Sequence, residues 1–421
     1  MNIYEDKVSL REKYVEIGYR DDSIEVNELR SNVLGKRLCL NGCWHITSCQ
    51  GCGSFNDFPG PSRPTLEILN REGLCKGLAD ANLFDGKVRL GVNSFDIEEI
   101  AKLIIDLCNE LRALGISRCE IIVTFRHIEK TITNSNGYEA YEERNLIEVD
   151  VGLVSMFRSL SHFGSAFTTT ILWKPKEISK LIEKTAKEAY NNLMRNKNVR
   201  VLSPYMIGKN VIILDSKASA ALVHEISHLL DPMYAVRVLK RGVTIAPPEF
   251  ELIDDPFRYD SPSIRFFDDE LVRTQRRHLI EGGRIIDLHH TRSTALHYNS
   301  VPGSAYGLFH KPIPFHTTLV LSQGDWRVDE IIEETRSGIL INGVALATLE
   351  MGYVRLIPQN ASVIKHGEVQ DNVKVREVKI PLSNLRTINA ISKELNIRTS
   401  KERDWIVTEV APYIRLEAYI S

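Results

Sequence analysis

No cysteine follows Cys119 in this chain of 421 residues, no run of 18 apolar residues occurs, and neither sign of charge prevails. Each absence excludes something. Without a long apolar run there is no candidate membrane-spanning helix. The start, Met1-Asn2-Ile3-Tyr4-Glu5-Asp6-Lys7, lacks the basic and apolar regions of a secretory signal. The expectation is a soluble, cytoplasmic protein with no membrane partner. A net charge of −2, with Lys and Arg spread along the chain, offers no basic face, so direct nucleic-acid binding is not expected. Low-complexity tracts are absent too, and a composition of 43% hydrophobic and 26% charged residues is that of a globular protein. At this length one core does not suffice, so two or three domains are expected.

All seven cysteines precede residue 120. Cys39, Cys43, Cys49 and Cys52 crowd together, and Cys49-Gln50-Gly51-Cys52 is a CxxC. A structural zinc site usually brings two such paired elements, and only one is present. Leu38, Leu40, Trp44 and Ile46 alternate around them as in strands, so these cysteines read as small buried side chains. A disulfide would need an oxidising interior such as that of some thermophiles.

The first 200 residues alternate helix and strand signals. Asp96 to Leu114 reads as an amphipathic helix, with Ile97, Ile100, Ile104, Leu107 and Leu111 on one stripe and Gly115 as its stop. Cys119 to Phe125 and Asn145 to Ser155 read as strands. A further helix runs from Pro175 to about Met194, and Asn196-Lys197-Asn198 reads as a linker. A strand, Val211 to Leu214, then leads into a helix capped by Asp215 or Ser216. From Pro247 onward short β-rich runs are separated by turn pairs such as Gly282-Gly283, Pro302-Gly303 and His366-Gly367, with one short helix from Val328 to Ser337. The fold class expected is α+β. An N-terminal α/β sandwich-type domain (1–198) is followed by a β-rich C-terminal domain (199–421) that carries the residues described next.

Those residues are Ala221-Leu222-Val223-His224-Glu225-Ile226-Ser227-His228-Leu229-Leu230, an HExxH motif on an apolar helical segment. A helix turns about 100° per residue, so His224 and His228 lie one turn apart on one face. Two imidazoles so placed can chelate one Zn²⁺, and Glu225 can take a proton from the water that the metal activates. A surface helix with incidental histidines is the plainer reading. The surrounding Ala, Leu and Val residues argue against it, because a helix this apolar is buried, where two His and a Glu are costly unless paired or metallated.

Hydrolytic zinc normally takes three protein ligands and leaves one position open. Asp231, one turn further along, is about 10 Å from His224 along the axis and fits better as a hydrogen-bond acceptor for His228. The remaining candidates are His278, His289, His290, His297, His310 and His316, together with Asp268, Asp269 and Glu270. Spacing does not choose among them, because this ligand arrives through the fold.

The chain resembles the TldD/PmbA family, also described as modulators of DNA gyrase, which includes zinc metallopeptidases. Val211-Ile212-Ile213-Leu214 with the HExxH helix looks like the family's strand and histidine helix. Phe267-Asp268-Asp269-Glu270, Thr274-Gln275-Arg276 and Leu279-Ile280-Glu281-Gly282-Gly283 resemble its DDEG…Q…LIE-G stretch. Lys311 to Thr318 is similar to its PMPRMTN segment, with Phe315 where Arg is usual. Asp329-Glu330-Ile331-Ile332 to Gly338-Ile339 and Ala361 to Gly367 resemble later elements, and Gly35 through Trp44 fits the early hairpin.

The resemblance implies a dimer around an enclosed cavity in which unfolded or short peptides are cut, with Zn²⁺ as cofactor. The dimer would be a homodimer or a heterodimer with a TldD/TldE-like paralogue. Two departures bear on this. The family has three residues between the Glu and the second His, whereas this chain has two. The family's third ligand, a Cys before the late strand, aligns here with Pro358. Either another residue substitutes, or the metal is held weakly, or the chain has lost peptidase activity and serves as a scaffold for an active paralogue.

Overall fold

Long antiparallel strands build the first half of the molecule. The computed structural model describes residues 3–40, 43–60, 77–92, 94–157, 160–171, 173–197, 199–232, 241–403 and 405–421. Strands Cys43–Gln50, Ser23–Leu40, Ile3–Arg20, Arg118–Asn134 and Glu139–Phe157 lie side by side in that order. Leu160–Thr170 and the parallel strand Gly86–Leu90 both pair with Glu139–Phe157. Two helices cover the sheet, α1 (Ile97–Ala113) and α2 (Ile178–Lys197). Because strand side chains alternate, Cys119, Ile121, Val123 and Phe125 all point to one face, where they share a core with Ile104 of α1 and Ile182 and Leu193 of α2.

Asp96 caps α1 by accepting from the Glu98 and Glu99 amides at 2.9 and 3.2 Å. Close packing of α2 depends on Gly164, where a Cβ would meet the Leu193 backbone nitrogen at 2.4 Å. The helix continues through Lys197 rather than yielding to a linker at Asn196. Arg195 and Lys197 in its last turn complement the negative end of the helix dipole, and Asn196 Nδ2 donates to the Phe163 carbonyl at 2.9 Å. Asn198, Met1 and Asn2 lie outside the described residues.

The cysteines divide. Cys39 is buried, as expected of a small core side chain. Cys49 and Cys52 are instead disulfide-bonded, because the chain turns at Gly51 (φ 78°) and brings their Cα atoms to 5.8 Å. Cys43 is disulfide-bonded as well, and a bridge between Cys108 and Cys119 ties α1 to the neighbouring strand.

In the second half, Gly208–Leu214, Ser337–Glu350, Tyr353–Lys365, Val378–Pro381 and Ile414–Ile420 pair in a closed ring, each strand bonded to two others. A second sheet runs Arg284–Ile285, Arg277–Glu281, Leu252–Asp254, Thr318–Leu321, Trp405–Ala411, Asn396–Glu402. Gly282 and Gly283, at φ 54° and 69°, make the tight turn that joins its first two strands. The short helix foreseen to Ser337 stops at Glu333, because Ser337 already pairs with Lys365 in the ring.

The halves are pinned together by buried charge. Arg37 donates to Asp6 at 2.6 and 2.5 Å and to the carbonyls of Asp269 and Gly307 at 2.7 and 3.1 Å. Helix α3 (Ser216–His228) packs against the strands Ser337–Glu350, Trp405–Ala411 and Asn396–Glu402. It thereby stands between the ring and the second sheet. No helix among the described residues is long and apolar enough to cross a membrane.

Candidate metal centre

The strand Gly208–Leu214 delivers the chain into α3, and of the two cap candidates it is Asp215 that serves. Its carboxylate accepts from the Ala218 amide at 2.8 Å and from the Gly343 amide at 2.9 Å, so one residue starts the helix and fastens it to the ring. Ala218, Leu222, Val223 and Ile226 enter the core with Ile212, Ile339 and Ile341. Burial of this helix carries the motif inside: His224 is 6% and Glu225 8% exposed, while His228 is half-buried. The rings of His224 and His228 stand 5.1 Å apart. The regular helix ends at His228, with Leu229 as its cap, so Asp231 lies in the following turn rather than on a further helical turn.

Two carboxylates flank His224. Glu409 Oε1 lies 2.7 Å from Nδ1, and Glu402 Oε2 lies 3.8 Å from Nε2. A carboxylate can only accept, so Nδ1 carries the proton of that bond, and Nε2 faces Glu402. Both carboxylates come from the hairpin Asn396–Glu402/Trp405–Ala411, in which Arg398 pairs with Glu409 and Glu402 with Trp405. With a period of two, Arg398, Ser400 and Glu402 share one face of that hairpin with Glu409. Glu409 also accepts from Arg398 at 2.8 Å and Ser400 at 2.9 Å.

Burial lowers the proton affinity of His224, but Glu409 and Glu402 outweigh it and push the group up to about 9. His228 is brought down to about 4 by burial and by the neighbouring His224. Burial also raises Glu225, whose Oε2 accepts from the Leu349 amide at 2.6 Å.

The other candidates separate clearly. His316 reaches the cluster: its Nε2 is 3.4 Å from Glu409, its Nδ1 is 3.0 Å from Ser227 Oγ, and its ring is 5.2 Å from that of His224. His289 is buried behind it, 6.1 Å ring to ring. His290 is buried beside Thr294, while His278, His297 and His310 are exposed. Asp268, Asp269 and Glu270 lie in neither ligand set with His224 and are held elsewhere. Asp268 accepts from the Glu270, Val272 and Ala305 amides, Asp269 pairs with Arg265 and Lys130, and Glu270 accepts from the Arg292 amide. Phe315 lies 5.4 Å from His228 and 6.0 Å from His224, an apolar wall to both imidazoles.

Two sets of three potential ligands therefore exist among the described residues, each with its donor atoms within 4.8 Å of one another. His224, His316 and Glu409 form a fully buried set, and His224, His228 and Glu402 a half-exposed one. Imidazole nitrogens and a carboxylate oxygen suit Zn²⁺. Sequence reasoning missed Glu402 and Glu409. The signal was a charged residue inside the apolar strand Trp-Ile-Val-Thr-Glu-Val-Ala, which is costly unless it is partnered. Pro358 lies within Tyr353–Lys365, opposite Val344 beside a register shift.

Known proteins resemble this chain in sequence and in fold. Residues 207–419, half of the chain, match the family model of the PmbA/TldA metallopeptidase C-terminal domain. A protein of Archaeoglobus fulgidus named metalloprotease is 25% identical over 357 residues, 82% of this chain and 81% of the relative. One of Methanocaldococcus jannaschii, also named metalloprotease, is 28% identical over 204 residues, 45% of each chain. In fold the chain is similar to TldE from Thermococcus kodakarensis, with a TM-score of 0.75 at 16% identity over 99% of this chain and 96% of that one. It is similarly close to a protein of Bacteroides thetaiotaomicron named as a modulator of DNA gyrase, with a TM-score of 0.76 at 15% identity over 99% and 94%. A histidine helix buried between a strand ring and an acidic hairpin is thus set in a chain that belongs to the PmbA/TldA metallopeptidase family.

Proposed function

We propose that this chain is a zinc-dependent peptidase of the TldD type. His224 and His228 bind the metal and Glu225 is the general base. The observation that carries this reading is the convergence of His224, His228 and a carboxylate on a half-open face, with Glu225 one residue away on the same helix. Bound zinc would act as a Lewis acid, lowering the pKa of water and polarising a peptide carbonyl. The residues of the chain do the rest. Glu225, its proton affinity raised by burial, is suited to accept the proton of the attacking water and pass it to the leaving amine. Phe315 excludes water from one side of the imidazoles.

The substrates of this reading are unfolded or short peptides, cut in the cavity of a cytoplasmic dimer with itself or with a TldD/TldE-like paralogue. The two domains are taken as residues 1–198 and 199–421. The test is metal analysis of the purified chain together with peptide cleavage by Glu225→Gln. Near-stoichiometric zinc with cleavage abolished in the variant supports the proposal, and cleavage that survives in the variant sinks it.

One observation favours a second reading. The family resemblance aligns Pro358 with the family's cysteine ligand, and no cysteine follows Cys119 in the chain. On that reading the chain is a catalytically inactive scaffold partner of an active paralogue. Metal-free protein in which His224→Ala changes nothing would support it.

A further inference from the structure

We infer that Glu402 is the third protein ligand of the metal and that Glu409 is the positioning residue that fixes His224 for it. The inference rests on the peptidase reading above and deepens it. Two ligand sets compete for His224, and three observations decide between them.

The first is what each nitrogen of His224 already does. Nδ1 is committed to Glu409 at 2.7 Å, which leaves Nε2 as the coordinating atom, and Nε2 faces Glu402 Oε2 at 3.8 Å. Two ligands about 2.1 Å from a tetrahedral zinc ion stand roughly 3.4 Å apart, so this pair needs only a small adjustment to share one ion. A carboxylate behind the imidazole is the usual means of fixing a histidine's tautomer and ring orientation.

The second is saturation. Oε1 of Glu409 meets His224, Ser400 and His316, and Oε2 accepts from Arg398. Both nitrogens of His316 are engaged as well, by Ser227 and Glu409. A cation in that set would have to break these bonds beside the Arg398 guanidinium. Among the described residues Glu402 has no comparable set of donors, and what it meets at this site are the motif histidines, His224 at 3.8 Å and His228 in the same set.

The third is access. The Glu409 and His316 side chains are 0% exposed, whereas that of Glu402 is 35% exposed, at the end of its strand. A hydrolytic zinc site must leave one position open to water and substrate. Only the set that includes His228 and Glu402 offers one.

The experiment is zinc affinity by chelator competition on the full chain, paired with the visible spectrum of the cobalt-loaded protein. Wild type should bind zinc, Glu402→Gln should weaken binding by at least about 100-fold, and His316→Gln by less than about 10-fold. Glu402→Cys should bind cobalt with a thiolate-to-cobalt charge-transfer band that wild type lacks, which places residue 402 on the metal independently of activity. Unchanged thermal unfolding of the metal-free variants shows that folding is not the cause. If Glu402→Gln binds zinc as wild type does and Glu402→Cys gives no band, the inference falls while the peptidase reading stands. A wild type that binds no zinc overturns both.

Discussion

Glu409 and His224, 185 residues apart in sequence, meet at 2.7 Å in the fully buried interior of the second half. That contact orients the imidazole before any metal arrives, keeping Nδ1 on Glu409 and leaving Nε2 as the nitrogen that can give up its proton to a metal, and it ties the acidic hairpin to the motif helix. Burial alone would raise the Glu409 carboxyl, but Arg398 and His224 outweigh it and hold it well below the ordinary carboxylate range. Glu409→Gln should therefore lower the proton affinity of His224 and weaken zinc binding by about 10–100-fold. Histidine NMR titration and chelator competition check the two effects separately, and a His224 titration identical to wild type would refute the linkage.

Removing the base should separate chemistry from binding. Glu225→Gln keeps a side chain that can still meet the Leu349 amide, so the helix end stays in place. Zinc content is expected to match wild type while peptide turnover drops about 10²–10⁴-fold, the usual contribution of a positioned general base.

The His224–Glu409 pair predicts a pH response with a defined sign. In the folded, metal-free chain His224 is pushed up to about 9, above its ordinary 6.5. Its contribution to stability is therefore complete below about pH 6.5 and is lost as pH rises toward 9. The contribution of Glu409 is present above about pH 4.5 and is lost on acidification. Metal binding runs the other way, because the metal competes with a proton on His224 and affinity should climb between pH 7 and 9. About one proton should be released per zinc at pH 7, measurable by calorimetry in buffers of different ionisation enthalpy. His228, brought down to about 4, adds none. Zinc uptake without proton release would contradict the assignment.

Far from the candidate metal site, Arg37→Ala should destabilise the protein by about 3–5 kcal/mol, since it strands the buried Asp6 carboxylate and two carbonyls across the junction of the halves. Denaturant unfolding measures this. Zinc affinity at the motif should change little, because no residue of the metal cluster touches Arg37.

How much was legible beforehand follows from the range over which each signal acts. Helix α1 was readable because the apolar stripe and the stop at Gly115 lie within one short window, while the structure makes Asp96 its cap rather than its first residue. The end of α2 was not, since the contact of Asn196 with the Phe163 carbonyl comes from a separate strand. The Cys49–Cys52 bridge depended on a turn at Gly51 that residue spacing alone does not specify.

The sequence by itself determined the pair of imidazoles and the adjacent carboxylate, because helical periodicity places residues i and i+4 together whatever surrounds them. It also determined that the helix would be buried, from the apolar residues around the motif. Only the tertiary structure decided which carboxylates meet His224. Glu402 and Glu409 reach it through the register of a hairpin and the packing of that hairpin on α3, and such long-range geometry leaves no periodic trace in the chain.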